Sequence, residues 1–138
     1  MPFRNPDGDG LRALLKRAKT IAVVGLSPNP DRPSHRIGKR LKEWGYRVVP
    51  VRPALDTVLG EKAYPNLTAI PFKPDLVDVF RSPDQVDPVV DECIALGIPA
   101  LWLQEGVVNE PAALRAQAAG IEVVMDRCIS VDYRRLLG

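Results

Sequence analysis

VVGLSPNPDRPSHRIGKRL, residues 23–41, decides how the rest of the chain is read. The apolar run Ile21-Ala22-Val23-Val24 reads as a buried strand, and Gly25 stands where a strand would pass into a helix. A dinucleotide fingerprint would continue as GxGxxG. Here Gly25 is followed instead by Ser27, Pro28, Pro30 and a polar loop before a helix can begin. The turn is long and braced by proline, so the question is what ligand such a turn suits.

Outward from this stretch, elements of two kinds alternate. Leu11 to Lys19 carries apolar residues at Leu11, Leu14, Leu15 and Ala18, the spacing of an amphipathic helix, and Thr20 to Val24 is the first strand. Ser34 reads as the N-cap of a helix from His35 to Trp44, with Ile37, Leu41 and Trp44 turned inward onto the sheet and Gly45 as its stop. Tyr46 to Val51 is a second strand, followed by a proline-dotted region. Asp75 to Phe80 is a third strand, and Pro83 opens a helix that Gly97 closes. Ala100 to Leu103, a helix over Pro111 to Ala119, and Ile121 to Met125 complete the pattern, and the tail from Ile129 onward stays open between helix and extended chain. Strands separated by helices cannot pair as hairpins, and right-handed crossovers make them parallel. The expected fold is α/β, a Rossmann-like three-layer sandwich with a parallel sheet of about five strands.

At 138 residues the chain has the size of one ordinary domain, so residues 1–138 are read as a single unit. The apolar fraction of 46% and charged fraction of 26% are those of a water-soluble protein, and no apolar run approaches the roughly 20 residues a membrane span needs. The N-terminus lacks the layout of a secretory signal and the two cysteines form no disulfide framework, so the expected location is the cytoplasm. A net charge of +2, with basic and acidic residues interleaved, argues against nucleic acid or a membrane as partner.

In an open parallel sheet, ligands collect beyond the carboxyl ends of the strands. The loops there bring Gly25, Ser27, Arg32, Ser34, Arg52, Arg81, Ser82 and Gln104 to one edge. Backbone N–H groups at the start of a helix stabilise an anion, and glycine lets it approach. NAD-binding domains place an acid after the second strand for the ribose 2′-hydroxyl; this chain places Arg52, whose fork suits a ribose phosphate such as that of NADP or CoA. Gly25 could equally serve only the turn, and Arg52 and Arg81 only the solvated surface.

Reactive groups are sparse. His35 is the one histidine, so no histidine metal cluster or Cys-His pair is expected, and it reads as a partly exposed first-turn residue. Cys93 reads as buried, Cys128 as more exposed, and neither has a CxxC partner. Trp102 reads as core, while Asp75, Asp78 and Asp126 read as capping or flanking strands. No catalytic set and no metal site are expected.

The blocks IAVVGLSPNPDRPSHRIGKRL, GYRVVPVRP, LGEKAYPNL, DLVDVFRSP, ALWLQEGVVNE and GIEVVMDRC, in that order, resemble the small stand-alone CoA-binding domain proteins. These look like the N-terminal domain of the succinyl-CoA synthetase alpha subunit. The resemblance implies coenzyme A, or an acyl-CoA, held across the carboxyl edge of the sheet. It implies Gly25, Leu26 and Ser27 along the diphosphate, with Ser34 and Arg36 opening the helix beneath. It also implies Arg52 and Pro53 near the 3′-phosphate, and Arg81, Ser82 and Pro83 along the adenine or pantetheine side. Arg52 departs from the asparagine common in that position. The synthetase's phosphorylated histidine belongs to a further domain and His35 cannot inherit its role, so binding without catalysis is expected. The competing readings are an NAD(P)-linked oxidoreductase and a CoA-binding subunit of a larger acyl-CoA enzyme.

Overall fold

The computed structural model describes residues 2–138. In chain order the elements are α1 (Gly8–Arg17), β1 (Thr20–Val24), α2 (Pro33–Glu43), β2 (Arg47–Val51), β3 (Thr57–Val58), β4 (Glu61–Lys62) and β5 (Leu76–Val79). A 3-10 turn (Pro83–Gln85) follows, then α3 (Val86–Leu96), β6 (Ala100–Leu103), α4 (Glu110–Ala118), β7 (Glu122–Met125) and α5 (Ile129–Leu136). Five strands form one parallel sheet in the order β2-β1-β5-β6-β7, so the α/β sandwich is the one the alternation predicts.

The sheet is buried on both faces, as parallel sheets are, and side-chain alternation divides the core in two. Ala22 and Val24, Val77 and Val79, and Leu101 and Leu103 face α3 and α4. Ile21, Val23, Leu76 and Trp102 face α1, α2 and α5. The register aligns Val23, Asp78, Trp102 and Val124 in one row across β1, β5, β6 and β7.

Several elements depart from the sequence reading for identifiable reasons. α1 starts earlier because Asp7 caps it, accepting from the Gly10 N–H at 2.8 Å. α2 starts at Pro33, with Arg32 in the cap position, so Ser34 is not the N-cap but a residue of the first turn. Pro88 has no N–H to return to the carbonyl four residues back, and a separate 3-10 turn precedes α3 where one continuous helix was expected. The proline-dotted region holds the hairpin β3–β4, whose central residues Leu59 and Gly60 have φ of 55° and 74°, as a type I′ turn requires.

The chain end is helical. Trp44 stacks on Tyr133 of α5, with ring centroids 4.1 Å apart and planes 6° from parallel, so it packs α2 against α5 and not onto the sheet. Asp75 does flank a strand, accepting from the Lys19 and Thr20 N–H groups, and Asp126 accepts from that of Gly106. Asp78 does neither: it lies within β5, wholly buried.

Both outer edges of the sheet are occupied at their carboxyl ends. Beside β2, the Tyr64 N–H donates to the Pro50 carbonyl at 3.0 Å and the Arg52 N–H to the Tyr64 carbonyl at 2.8 Å, a strand one residue long. Beside β7, the Asn5 side-chain amide pairs with both backbone groups of Met125, at 2.9 and 2.7 Å.

Candidate functional site

From β1 the chain leaves to α2 on one face, and from its neighbour β5 to α3 on the other, so a crevice opens between the two at their carboxyl ends. Two cavities straddle it. The first, of about 280 Å³, is lined by Gly25, Ser27, Arg32, Ser34, Arg52 and Phe80, with Pro33. The second, of about 380 Å³, lies on the α3 side and includes Val24, Val51, Asn66, Arg81, Gln85 and Glu92. Consecutive residues at three strand ends, Val24-Gly25, Val51-Arg52 and Phe80-Arg81, divide one from the other.

The loop after β1 is held by its own polar groups. The Ser34 hydroxyl, freed from capping, accepts from the Ser27 N–H at 2.9 Å, and the Ser27 hydroxyl accepts from the Asn29 N–H at 3.1 Å. His35 Nδ1 donates to the Ser27 carbonyl at 2.9 Å, and Arg36 Nη1 to the Asp31 carbonyl at 2.6 Å. With Pro28, Pro30 and Pro33 limiting the unfolded loop, the surface is set before a ligand arrives. Gly25 has φ of 86°, and a Cβ there would stand 2.3 Å from the Phe80 carbonyl oxygen. It is therefore required by the close approach of β5's end, beyond any ligand.

The start of α2 is poorer in amide donors than the sequence suggests. Pro33 has no N–H, and the Arg32 carbonyl takes those of His35 and Arg36. Positive charge in the first cavity comes instead from the Arg32 and Arg52 guanidiniums. Among the described residues neither they nor Arg81 enter an ion pair, and the first cavity has no acidic lining residue.

Other expected residues fall outside these cavities. Leu26 is fully buried core, leaving only its backbone near the loop. Arg36 braces the loop, while Pro53, Ser82 and Pro83 are exposed beside the cavities and line neither. Gln104 is buried, its Oε1 accepting from the Ile129 N–H at 3.2 Å, so it fastens α5. Phe80, a wall of the first cavity, was missed; its place one residue past a strand end was the available signal.

A third, smaller cavity of about 160 Å³ opens at the end of β7, between Glu105, Asp126, Arg127, Cys128, Val131 and Asp132. Asp132, itself buried, accepts two hydrogen bonds of 2.7 Å from Arg127, whose guanidinium pKa is raised by them. Asp78, wholly buried within β5, has no hydrogen-bond partner on either carboxyl oxygen among the described residues. Burial, then the charge that Cys128 can carry, holds its carboxyl well above the usual carboxylate range.

The uncharacterized protein YneT of Bacillus subtilis is 41% identical over 131 residues, 95% of this chain and 97% of that one. A hypothetical protein from Pyrococcus horikoshii OT3 superposes with a TM-score of 0.95 at 38% identity, covering 100% of this chain and 97% of the other. The alpha subunit of acetate–CoA ligase (ADP-forming) II of Pyrococcus furiosus is 27% identical over 122 residues; the match covers 80% of this chain and 27% of that subunit. With a family model described as CoA binding domain matching residues 19–134, the chain belongs to that CoA-binding domain family.

Proposed function

We propose that the protein binds coenzyme A or an acyl-CoA across the carboxyl edge of its sheet and performs no chemistry on it. Family membership supports CoA as the ligand. The observation that carries the placement is the pair of arginines, Arg32 and Arg52, without acidic partners in a hydroxyl-bearing cavity at the β1–β5 crevice. CoA brings a diphosphate and a 3′-phosphate, and guanidinium forks suit both. In this reading Ser27, Ser34 and the backbone of Gly25 and Leu26 follow the diphosphate with Arg32, and Arg36 keeps their loop in shape. Arg52 takes the 3′-phosphate, with Pro53 beside it. Arg81, Ser82 and Pro83 border the adenine or pantetheine in the second cavity. The cytoplasm, where CoA is at hand, is the compartment this reading assigns.

Isothermal titration with CoA, dephospho-CoA, acetyl-CoA and NADP tests it. CoA is expected to bind more tightly than dephospho-CoA; equal affinities would remove Arg52 from the 3′-phosphate, and binding of NADP alone would favour an oxidoreductase. Absence of turnover is checked with acetate or succinate, CoA and ATP, where thioester formation would overturn the non-catalytic reading.

A second reading has one observation in its favour. The ADP-forming ligases that match this chain do so over only 11–27% of their own length, so the same unit serves there as a small part of an enzyme. A partner retained with the protein through affinity and size-exclusion steps would support a CoA-binding subunit.

A further inference from the structure

The polar groups at the carboxyl edge are unevenly engaged, and the imbalance bears on which part of a ligand they can read. In the first cavity the Ser34 oxygen accepts from the Ser27 N–H at 2.9 Å, and the Ser27 oxygen from that of Asn29 at 3.1 Å. A hydroxyl that accepts still has its own proton to give, and among the described residues neither proton is given to the chain. The Arg32 and Arg52 guanidiniums are free of ion pairs, so every polar side chain lining this cavity is left with a proton to donate. Such a set suits phosphate oxygens, which accept.

The second cavity is built differently. Val24, Val51 and Val89 give it apolar walls, and the amides of Asn66 and Gln85 stand among them. Asn66 Oδ1 accepts from the Ala69 N–H at 2.9 Å, which leaves its amino group to donate. Apolar walls with a few amides suit a flat heterocyclic base.

Both cavities stand over β2, β1 and β5, and past β5 the edge is engaged with itself. Gln104 is buried and fastened to α5, the Gly106 N–H donates to Asp126, and Arg127 is held by Asp132. The ends of β2, β1 and β5 cover two strand spacings, about 10 Å. A pantetheine arm, with about twelve bonds between diphosphate and sulfur, is as long as four extended residues, about 14 Å. It therefore carries its sulfur beyond the stretch where the recognition groups stand. Cavities with chiefly apolar walls open at the other end of the sheet, around Phe72, Leu96 and Ile98 before β5 and β6, and around Leu15, Trp44 and Tyr46 before β1 and β2. An acyl chain leaving the carboxyl edge meets neither.

Resting on the CoA reading, we propose that the site takes adenosine 3′,5′-bisphosphates as a class, CoA being one member, and leaves the pantetheine arm and any acyl group unread. The two phosphates engage Ser27, Ser34, Arg32 and Arg52, the base enters beside Val51 and Val89, and the arm runs out over β5. The protein then responds to the whole pool of CoA and its thioesters, whatever acyl group they carry. A nucleotide with the same two phosphates and no thiol competes for it.

Isothermal titration with CoA, acetyl-CoA, hexanoyl-CoA, adenosine 3′,5′-bisphosphate and 4′-phosphopantetheine tests this. The bisphosphate is expected to bind within about tenfold of CoA and to displace it, the two thioesters within about twofold of CoA, and phosphopantetheine at least about a hundredfold more weakly. Arg52→Ala should weaken CoA and the bisphosphate by the same factor, about tenfold or more, with thermal melting to show that the variant is folded. A bisphosphate outside that range, phosphopantetheine binding on a par with CoA, or an affinity that changes with the acyl group would overturn the inference and leave the CoA reading standing. No binding of CoA or of the bisphosphate would remove both.

Discussion

The two faces of the sheet are built to different rules. Toward α3 and α4 the buried core is apolar throughout, from Val77 and Leu101 on the sheet to Val90, Ala112 and Ala116 on the helices. Among the described residues all six buried polar ones, Ser27, Ser34, Asp78, Gln104, Ser130 and Asp132, belong to the opposite side, with the α2 loop, the sheet row beneath α5, and α5 itself. Buried polar groups cost stability unless they are paired, so their confinement to one side separates the part that holds the molecule together from the part that shapes its carboxyl edge.

The sharpest way to test that division is to injure the apolar side. Leu101→Ala removes a wholly buried side chain between sheet and helices, and a loss of about 2–5 kcal/mol is expected in urea unfolding. CoA affinity of the folded fraction should stay as it was; a parallel loss of affinity would show that the faces are not separable. Arg52→Ala is the reverse case. It should leave the melting temperature unchanged while weakening CoA binding by about 1.5–3 kcal/mol, the value of a hydrogen bond to a charged group, with the effect absent for dephospho-CoA.

Asp78 gives a pH signature to the polar side. Its carboxyl is raised in the folded protein, so its contribution to stability is fully present below the unfolded value of 3.8 and is lost as pH rises through the folded value. Unfolding curves should show a decline of up to about 1.4 kcal/mol per pH unit from this one proton, and Asp78→Asn should remove it. An unchanged slope in the variant would mean that other groups set the pH dependence. The smallest effect is expected from Ser34→Ala, which strands the Ser27 N–H. About 1 kcal/mol of stability should go, with a larger loss in CoA affinity than in melting temperature if the loop's shape is what the hydroxyl maintains.

Gly25→Val is a poor probe of ligand binding for the reason the geometry supplies. The added Cβ meets the Phe80 carbonyl before it meets any ligand, and its melting temperature should fall sharply.

The alternation of strands and helices was legible because each βα unit carries its own punctuation, Gly45, Gly97 and Gly120 ending helices and the apolar runs marking strands. The hairpin was not legible: two-residue strands have no periodicity, and a leucine at positive φ signals nothing in sequence. Arg32, Arg52 and Arg81 could be placed at the edge from their position after strands, but which cavity each enters depends on α2 and α3 leaving on opposite faces. Ser34 was located correctly and given the wrong task, since Pro33 also satisfies the rule for a helix start. Asp78 could have been found: an acid in the middle of a central parallel strand has no solvent face to turn toward.

Asn5 carries a consequence of another kind. Its amide answers the outward N–H and C=O of Met125, and Tyr64 answers the Pro50 carbonyl and the Arg52 N–H beside β2, so a chain seeking to add a strand finds the carboxyl end of each margin already engaged. Growth of this sheet from molecule to molecule, the route by which edge strands seed fibrils, is blocked at Met125 by a single side chain. Replacing Asn5 would reopen that position to an added strand.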